Sequence, residues 1–221
     1  IKLFKICMKM TLISTIIFSF FFFCFGQIVN ASEDDRNRWN KRYNTGEYIY
    51  GKGPLTFLKE KLDILNRGKA LVLAMGEGRN AVFLAGNGFD VDGCDVSDKA
   101  IEKSKLFASE SSVILNAFVA DLEEYKIPAD TYDLITCFYY TQMDLIPHIK
   151  EGLRKGGMVM FETYSIDQLK YGKDAPGPKN PAYLLKHNEL LDSFRDFRIL
   201  YYREGEIAEN KSVVSLIAQK K

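Results

Sequence analysis

An apolar run followed at once by a glycine-rich turn constrains the fold of this chain more than any other feature. Residues Ala70–Met75 read ALVLAM, and such runs are typical of strands buried on both faces of a parallel sheet. Gly76-Glu77-Gly78 follows, and the pattern then predicts a helix over Asn80–Gly86. A strand, a glycine turn and a helix in this order predict the opening unit of a doubly wound α/β domain.

The rest of the chain alternates strand-like and helical segments. Strands separated by helices of about ten residues imply right-handed βαβ units and a mostly parallel sheet with helices on both faces. A polar, hairpin-like connector separates the last two strand runs, so these are expected to pair antiparallel at one edge. The predicted helices are Asp34–Tyr43, Leu55–Leu65, Asp98–Ser109, Asp144–Leu153 and Leu184–Phe194; the further strands end at Asp95 or span Val113–Val119, Tyr132–Phe138, the MVMFETY segment after Gly157, Phe197–Tyr202 and Ser212–Gln219, and 165–181 is expected to be a polar loop.

Length and composition exclude several classes of protein. The 221 residues suffice for one α/β domain, and 47% hydrophobic with 27% charged residues indicate a chain that forms a core. The net charge of +1 gives no basic excess that would favour nucleic acid as the main partner, so a small-molecule substrate is expected. Four cysteines are too few for a fold built on disulfides. The oligomeric state is not predicted.

Residues 1–31 have the pattern of an export signal or membrane anchor. Read from Met8, a short basic segment precedes the apolar stretch Thr11–Phe25, and Ala31 ends a candidate cleavage site. The stretch is short for a spanning helix, which needs ~20 residues. A cleaved signal, an uncleaved anchor and a mis-assigned start are the three interpretations. The first two place the body, residues 32–221, in the periplasm or a secretory lumen, with membrane contact only through an uncleaved anchor.

Carboxylates follow the second and third strands at the edge where the glycine turn lies. Asp95 ends the second strand, 19 residues after Gly76, at the position where an acid accepts hydrogen bonds from a ribose diol. Asp121 is placed to accept from an adenine amino group, with Leu122 packing on the ring. Gly78 precedes a helix whose free N–H groups favour an anion. A nucleoside ligand is therefore expected, either a dinucleotide or S-adenosylmethionine; the alternative is a turn and a helix cap without a ligand.

Several segments in order resemble the class I S-adenosylmethionine-dependent methyltransferases. They are ALVLAMGEGRNAVFLA, GCDVS, VADLEEY, YDLITCFYY and LRKGGMVMFETY. The GEGRN turn and the segment WNKRYNTGEYIYG resemble more narrowly the tellurite-resistance and thiopurine-type branch. The resemblance covers roughly residues 36–220. It implies a seven-stranded sheet of order 3-2-1-4-5-7-6 with strand 7 antiparallel, S-adenosylmethionine as cofactor, and methyl transfer as activity.

Two positions depart from the family pattern. Val72 stands where the family usually has an acid, and Ala74 where it usually has glycine. These departures affect how the methionine amino group of the cofactor is held. Backbone carbonyls near Ala74, or the Glu77 carboxylate, are the hypothesised replacements.

The acceptor wall is expected at the ends of strands four and five. Tyr139, Tyr140 and Gln142 are the candidate catalytic residues, with the segment Glu162-Thr163-Tyr164 opposite. Aromatic rings exclude water and favour a cationic sulfonium; the alternative is that both tyrosines are partly core. The remaining candidates for the cofactor are Val96 and Phe138, the helix pair Trp39 and Tyr43 (a lid or only a docked hydrophobic patch), and Arg79 (a partner for the methionine carboxylate, for an oxyanion substrate, or a surface cation).

The residue inventory favours a small, soft acceptor. A thiolate or a selenium or tellurium oxyanion is already anionic and needs no general base, and the two histidines, His148 and His187, both fall in predicted helices away from strand ends. Cys94 and Cys137 lie within strands and are expected to be packing residues. A nicotinamide-dependent oxidoreductase and an exported, non-catalytic binding protein remain the alternative functions. S-adenosylmethionine is made in the cytosol, so an exported enzyme would need a supply of it.

Overall fold

A computed structural model describes residues 31–221 of the chain, with side chains from residue 33 onward. The expected signal or anchor segment, apart from Ala31, lies outside the described residues. Within residues 31–221, no helix combines the length and the apolar character that crossing a membrane requires. The strands are β1 (Lys69–Leu73), β2 (Asp90–Asp95), β3 (Asn116–Val119), β4 (Tyr132–Phe138), β5 (Leu153–Tyr164), β6 (Arg198–Ala208) and β7 (Lys211–Gln219).

The strands form one seven-stranded sheet in the order β3-β2-β1-β4-β5-β7-β6. All pairings among the first five strands are parallel. Strand β7 runs antiparallel to both β5 and β6. The predicted fold class, strand order and antiparallel edge are therefore confirmed. Because Tyr164 at the end of β5 pairs with Val213 near the start of β7, the amino end of β7 reaches the edge where the parallel strands end. That edge is where open α/β sheets bind ligands.

Helices cover both faces of the sheet, as the alternating pattern predicts. Two separate apolar clusters form, and consecutive residues of β1 enter different ones: Leu71 packs in one and Val72 in the other. Both faces are thus buried, which explains the unbroken apolar run. The helices are α1 (Ala31–Tyr43), α2 (Thr56–Lys61), α3 (Arg79–Gly86), α4 (Asp98–Glu110), α5 (Leu145–Gly152) and α6 (Glu189–Ser193), with 3₁₀ turns at Leu62–Ile64, Ile166–Tyr171 and Pro181–Tyr183.

The largest error of the sequence prediction concerns the segment before α6. The helix predicted over Leu184–Phe194 is wrong in its first half, since Leu185 instead forms a bridge to the segment after β5. Its N–H donates to the carbonyl of Tyr164 at 3.0 Å, and its carbonyl accepts from Ile166 N–H at 2.7 Å. A tertiary strand contact thus overrides the local helical period. His187 consequently lies outside a helix.

Other differences concern element ends. β5 begins at Leu153, because the chain pairs with β4 before the two glycines, across an irregularity in register. The predicted Leu55–Leu65 helix becomes α2 and a 3₁₀ turn, and β6 runs on to Ala208. The loop expected at 165–181 contains 3₁₀ turns. Of these shifts, only the extension of β6 moves a strand end at the ligand edge, where Ala208 pairs with Lys211 of β7.

Candidate functional site

The glycine turn joins β1 to α3 in a conformation that favours glycine. Gly76 and Gly78 have φ of 56° and 90°. A Cβ at Gly78 would lie 2.7 Å from the Cβ of Ser104 on α4, so this glycine is required by the close packing of the turn on that helix. A Cβ at Gly76 would meet the hydroxyl of Tyr43 at 3.0 Å. Local packing therefore explains Gly78 without a ligand, whereas Gly76 lies on the side covered by Tyr43.

Asp95 connects this turn to the end of β2. One carboxylate oxygen accepts the N–H of Gly76 at 2.8 Å, and the other accepts the N–H of Ser97 at 2.9 Å. Burial raises the pKa of Asp95, although the backbone donors, Val96 N–H included, oppose the shift. A carboxylate has about four acceptor positions, so three backbone donors leave at least one of them for a ligand. The side chain thus orders the turn, and its predicted contact with a ribose stays a prediction.

Asp121 carries an unused acceptor at the same edge. Its Oδ1 accepts the N–H of Glu123 at 2.9 Å. Its Oδ2 is buried, and no group in residues 33–221 donates a hydrogen bond to it. A buried, unpaired carboxylate oxygen is costly unless a ligand supplies a donor. Leu122 beside it is buried at 6% exposure. The pair therefore fits the exocyclic amino group and ring of an adenine.

The two departures from the family pattern, Val72 and Ala74, change the chemistry of β1 and the backbone conformation that follows it. Val72 is buried in the apolar core at 1% exposure, so β1 carries no acid. Ala74 has a φ of 46°, a left-handed conformation that glycine adopts without strain. Glu77 is 4% exposed and forms an ion pair with Lys103 of α4. The Lys103 ammonium also donates to the carbonyl of Glu47 at 2.6 Å. Glu77 is thus already compensated by a cation.

Helix α1 is fixed to the ligand edge through the start of α4. Arg36 donates two hydrogen bonds to Asp98, at 2.6 and 2.8 Å, and these lower the pKa of that carboxyl to about 2. Asn40 accepts from Ser97 Oγ at 2.7 Å. Trp39 and Tyr43 stack with centroids 5.5 Å apart, as their spacing predicts. Tyr43 is buried against the glycine turn, and the more exposed Trp39 stacks on it, so the pair is docked on the turn. A role of the pair as a lid over the cofactor stays a prediction.

The two candidate catalytic tyrosines lie on opposite faces of the sheet. Tyr139 packs against the same apolar cluster as Val72, and Tyr140 against that of Leu71. The Tyr140 hydroxyl donates to Gln142 Oε1 at 2.7 Å. Burial is the largest cause that raises the pKa of Tyr140, and the charge of Asp121 contributes to the same shift. The structure therefore brings Tyr140 and Gln142 together on the side of Asp121, and it separates both from Tyr139. Both tyrosines are partly buried, in agreement with the alternative that they belong partly to the core.

Tyr139 is held by a network from β5 and β7. Its φ is 55°, and its hydroxyl donates to Glu162 Oε1 at 2.7 Å. The other oxygen of Glu162 accepts from Ser215 Oγ at 2.7 Å, with Arg203 Nη2 at 3.7 Å. Phe138, just before Tyr139, is buried in the core. Sequence reasoning missed Arg203 and Ser215, because nothing local marks a residue of the last two strands as reaching β4.

Two partly buried cations act on Tyr139, Lys211 over its ring and Arg79 through its charge. Arg79 Nη1 donates to the carbonyl of Tyr50 at 3.0 Å, and burial lowers the Arg79 pKa. Lys211, at the start of β7, places its ammonium 4.6 Å from the Tyr139 ring centroid and 5.8 Å from that of Tyr164. The sequence gives no signal for Lys211, which only the antiparallel strand brings to this edge.

The remaining titratable residues of interest are two histidines on the surface and two cysteines buried in the sheet. His148 and His187 are surface residues, with side chains 55% and 58% exposed. His187 pairs with Glu204 at 2.5 Å and with Asp167 at 3.4 Å. Cys94 and Cys137 are buried in the sheet, and burial raises the pKa of Cys94 to about 12. Their environment is that of packing residues.

Known proteins share this sequence pattern and this fold. A relative from Haemophilus influenzae, named "Probable S-adenosyl-L-methionine-dependent methyltransferase TehB", is 28% identical over 175 residues, covering 76% of this chain and 57% of its own. "Hemagglutinin 1" of Eikenella corrodens is 27% identical over 170 residues, covering 72% of this chain and 55% of its own. The chain thus spans about half the length of the curated relatives it matches.

A solved structure supports the fold of this chain, and a family profile identifies the family to which it belongs. The crystal structure of TehB from Haemophilus influenzae superposes with a TM-score of 0.63 at 22% identity, covering 84% of this chain and 67% of that one, which supports the fold. The profile of a family described as "Tellurite resistance protein TehB" matches residues 34–212. Since that match covers most of the chain, this protein belongs to the TehB family.

Proposed function

We propose that this chain is a methyltransferase that uses S-adenosylmethionine to methylate a small, soft nucleophile such as a thiol or a selenium or tellurium oxyanion. The observation that carries the proposal is the unpaired, buried Oδ2 of Asp121 at the same edge as the Asp95-bound glycine turn. That combination suits an adenosine, with the ribose at one carboxylate and the adenine amino group at the other. Family membership supports the same activity.

The residues present fit the cofactor. Asp95 would hold the ribose and Asp121 the adenine amino group, and Arg79 at the start of α3 would hold the methionine carboxylate. Tyr43 would cover the turn, since its hydroxyl already lies beside Gly76. The further residues expected around the cofactor are Trp39, Gly78, Val96, Leu122 and Phe138. When bound, S-adenosylmethionine supplies an electrophilic methyl group on a sulfonium.

The methionine ammonium needs a replacement for the missing acid of β1. Glu77 already has a cationic partner in Lys103 at Oε1, and its buried Oε2 accepts no hydrogen bond within residues 33–221. Because the Lys103 ammonium already neutralises the Glu77 charge, we assign the methionine ammonium to the backbone carbonyls near Ala74. A Glu77→Gln variant that keeps the affinity for S-adenosylhomocysteine agrees with this assignment. A tenfold loss, with Lys103→Gln unaffected, identifies Glu77 as the ligand.

The protein's contribution to methyl transfer is orientation and exclusion of water. An acceptor held ~3–3.5 Å from the methyl carbon in line gains several kcal/mol from positioning alone. The hydroxyl protons of Tyr139 and Tyr140 are donated to Glu162 and Gln142, and burial raises the pKa of both phenols. Neither phenol is thus prepared to act as a base, which agrees with an acceptor that arrives as an anion.

Calorimetry of the purified chain tests the cofactor assignment. We expect binding of S-adenosylmethionine and S-adenosylhomocysteine and none of NAD. Binding of NAD alone would replace the proposal by the nicotinamide-dependent oxidoreductase. Binding of both adenosyl compounds without methyl transfer to thiols, selenite or tellurite would favour a non-catalytic binding protein. Absence of any nucleoside binding would contradict the proposed function altogether.

We also propose that residues 1–31 direct export or anchor the body at a membrane. The basic segment and the apolar stretch before Ala31 support this, as does the acidic sequence after it. Mass spectrometry of the mature protein, with cell fractionation, tests it. A new N-terminus at Ser32 indicates a cleaved signal, and an intact N-terminus in the membrane fraction indicates an anchor. An intact chain in the cytosolic fraction contradicts both and removes the problem of cofactor supply.

A further inference from the structure

The amino end of β7 places an ammonium where the proposed acceptor would lie. Lys211 reaches the face of the Tyr139 ring at 4.6 Å and that of Tyr164 at 5.8 Å. Tyr139 follows the end of β4, adjacent to β1, whose last residue precedes the glycine turn. Lys211 therefore stands on the side of the turn opposite to the adenine carboxylate Asp121.

The charge of Lys211 is incompletely compensated. Within residues 33–221, its ammonium forms neither an ion pair nor a hydrogen bond with any side chain. Glu162, whose charge acts on Lys211, already accepts hydrogen bonds from Tyr139 and from Ser215, both at 2.7 Å, and its oxygen lies 3.7 Å from Arg203 Nη2. Contact with aromatic faces stabilises an ammonium but uses none of its three N–H donors. Those donors remain available to a ligand.

A second cation acts on the same space. Burial is the main cause that lowers the pKa of Lys211. The charge of Glu162 opposes this shift, and the charge of Arg79 adds to it. Two partly buried cations that disfavour each other are costly unless an anion lies between or beside them. Arg79 donates to a neutral carbonyl and, within residues 33–221, has no carboxylate partner.

The loop after β5 packs on the ring of Tyr164, the second aromatic ring beside Lys211. A Cβ at Gly177 would lie 2.6 Å from the Tyr164 ring, so the loop backbone packs directly on that ring. Gly177 has a φ of 82°, which glycine tolerates. The loop thus covers the Tyr164 ring, which is one of the two rings beside the Lys211 ammonium.

We propose that Lys211 is the acceptor-binding residue that selects a negatively charged acceptor and holds it at its ammonium, beside Tyr139, while Arg79 serves the cofactor carboxylate. This inference rests on the proposed function and deepens it. Tyr139 is positioned for the task because its hydroxyl proton is given to Glu162. The Tyr139 oxygen therefore offers no donor to a ligand, and the positive charge of Lys211 is the group that would attract an anionic acceptor.

Selenite binding to the full chain saturated with S-adenosylhomocysteine tests the proposal. We expect Lys211→Met to weaken selenite binding by about tenfold or more, since a charge-assisted contact is lost. Its affinity for S-adenosylhomocysteine should stay within about twofold, which also shows that the variant folds. Lys211→Arg should restore most of the selenite affinity. Lys173→Met, an exposed lysine in the covering loop, is the matched control and should bind as the wild type does.

Kinetics supply the second readout. Lys211→Met should raise KM for selenite with a smaller change in kcat, and it should not raise KM for dimethyl sulfide, an uncharged soft acceptor. Equal losses for both acceptors, or unchanged selenite binding in Lys211→Met, overturn the proposal. Failure of the wild type to bind selenite while it binds S-adenosylhomocysteine also overturns it and leaves the proposed function standing. Failure to bind S-adenosylhomocysteine contradicts the proposed function itself.

Discussion

The two halves of the ligand edge differ in the groups they offer. The half formed by β1, β2 and β3 presents carboxylates, Asp95 and Asp121, and a bent backbone. The half formed by β4, β5 and β7 presents aromatic rings and the ammonium of Lys211. On the proposed function, the first half would bind the nucleoside and the second an anionic acceptor. The difference predicts that substitutions can change recognition of the cofactor and recognition of the acceptor separately.

The halves also differ in how their polar groups are held. Asp95 and Asp121 accept hydrogen bonds from backbone N–H groups, whereas Tyr139 is held through Glu162, whose other oxygen binds Ser215. A backbone partner survives any substitution except proline, but a side-chain partner does not. We therefore expect the acceptor half to tolerate changes of specificity that leave the nucleoside half intact.

The largest expected effect tests the rigidity of the nucleoside half. Gly78→Ala should destabilise the fold by about 3 kcal/mol, because the new Cβ meets Ser104 and the φ is 90°. Gly88→Ala is the control, since Gly88 has a φ of 86° in open space and should cost only about 1 kcal/mol. Urea unfolding measures both. Equal costs would show that backbone strain, and not packing on α4, requires the glycine.

A substitution at Asp121 separates the adenine contact from general charge effects. Asp121→Asn should weaken S-adenosylhomocysteine binding about tenfold, because a neutral amide oxygen is a poorer acceptor than the buried carboxylate oxygen. Calorimetry measures the affinity. Glu123→Gln, two residues away and exposed, removes the same charge and should leave the affinity unchanged. A loss of equal size in the control would assign the effect to long-range electrostatics.

Paired phenylalanine substitutions compare the two faces. Tyr139→Phe and Tyr140→Phe each remove one side-chain hydrogen bond and should each cost about 1 kcal/mol of stability. Their effects on ligands should differ: Tyr139→Phe should mainly raise KM for selenite, and Tyr140→Phe should mainly weaken S-adenosylhomocysteine binding. Steady-state kinetics and calorimetry on both variants check this. The reverse assignment would exchange the roles proposed for the two faces.

The smallest effect concerns the docking of α1. Arg36 depresses the pKa of Asp98 from its ordinary 3.8 to about 2, so the pair stabilises the fold fully above about pH 4 and progressively less as pH falls toward 2. The pair is partly exposed, so Asp98→Asn should cost only about 0.5–1 kcal/mol at pH 6.

Urea unfolding of wild type and Asp98→Asn between pH 6 and pH 3 measures this dependence. The difference in unfolding free energy should shrink below pH 4. Glu102→Gln, which breaks the exposed pair with Lys99 on the same helix, is the control and should change stability less. A difference that grows as pH falls would show that Asp98 is stabilised in its protonated form.

Local patterns were sufficient for most of the fold and for the positions of the glycine turn and the two carboxylates. The apolar run of β1, the glycines after it and the acids that end β2 and follow β3 are each read within a few residues, and the strand order follows from the family resemblance. The helix over Leu184–Phe194 was mispredicted because a bridge between Leu185 and Ser165 competes with its apolar period. Such a bridge joins residues distant in sequence, and periodicity does not register it.

By itself, the sequence determined the layered α/β architecture, the turn with its flanking carboxylates, and the two family departures at Val72 and Ala74. It did so because hydrophobic period, glycine conformation and strand-end acids are local properties. Only the tertiary structure decided that Tyr139 and Tyr140 face apart, that Glu77 is compensated by Lys103, and that Lys211 meets Tyr139. Those facts depend on the antiparallel insertion of β7 and the docking of α4, contacts that form between residues far apart along the chain.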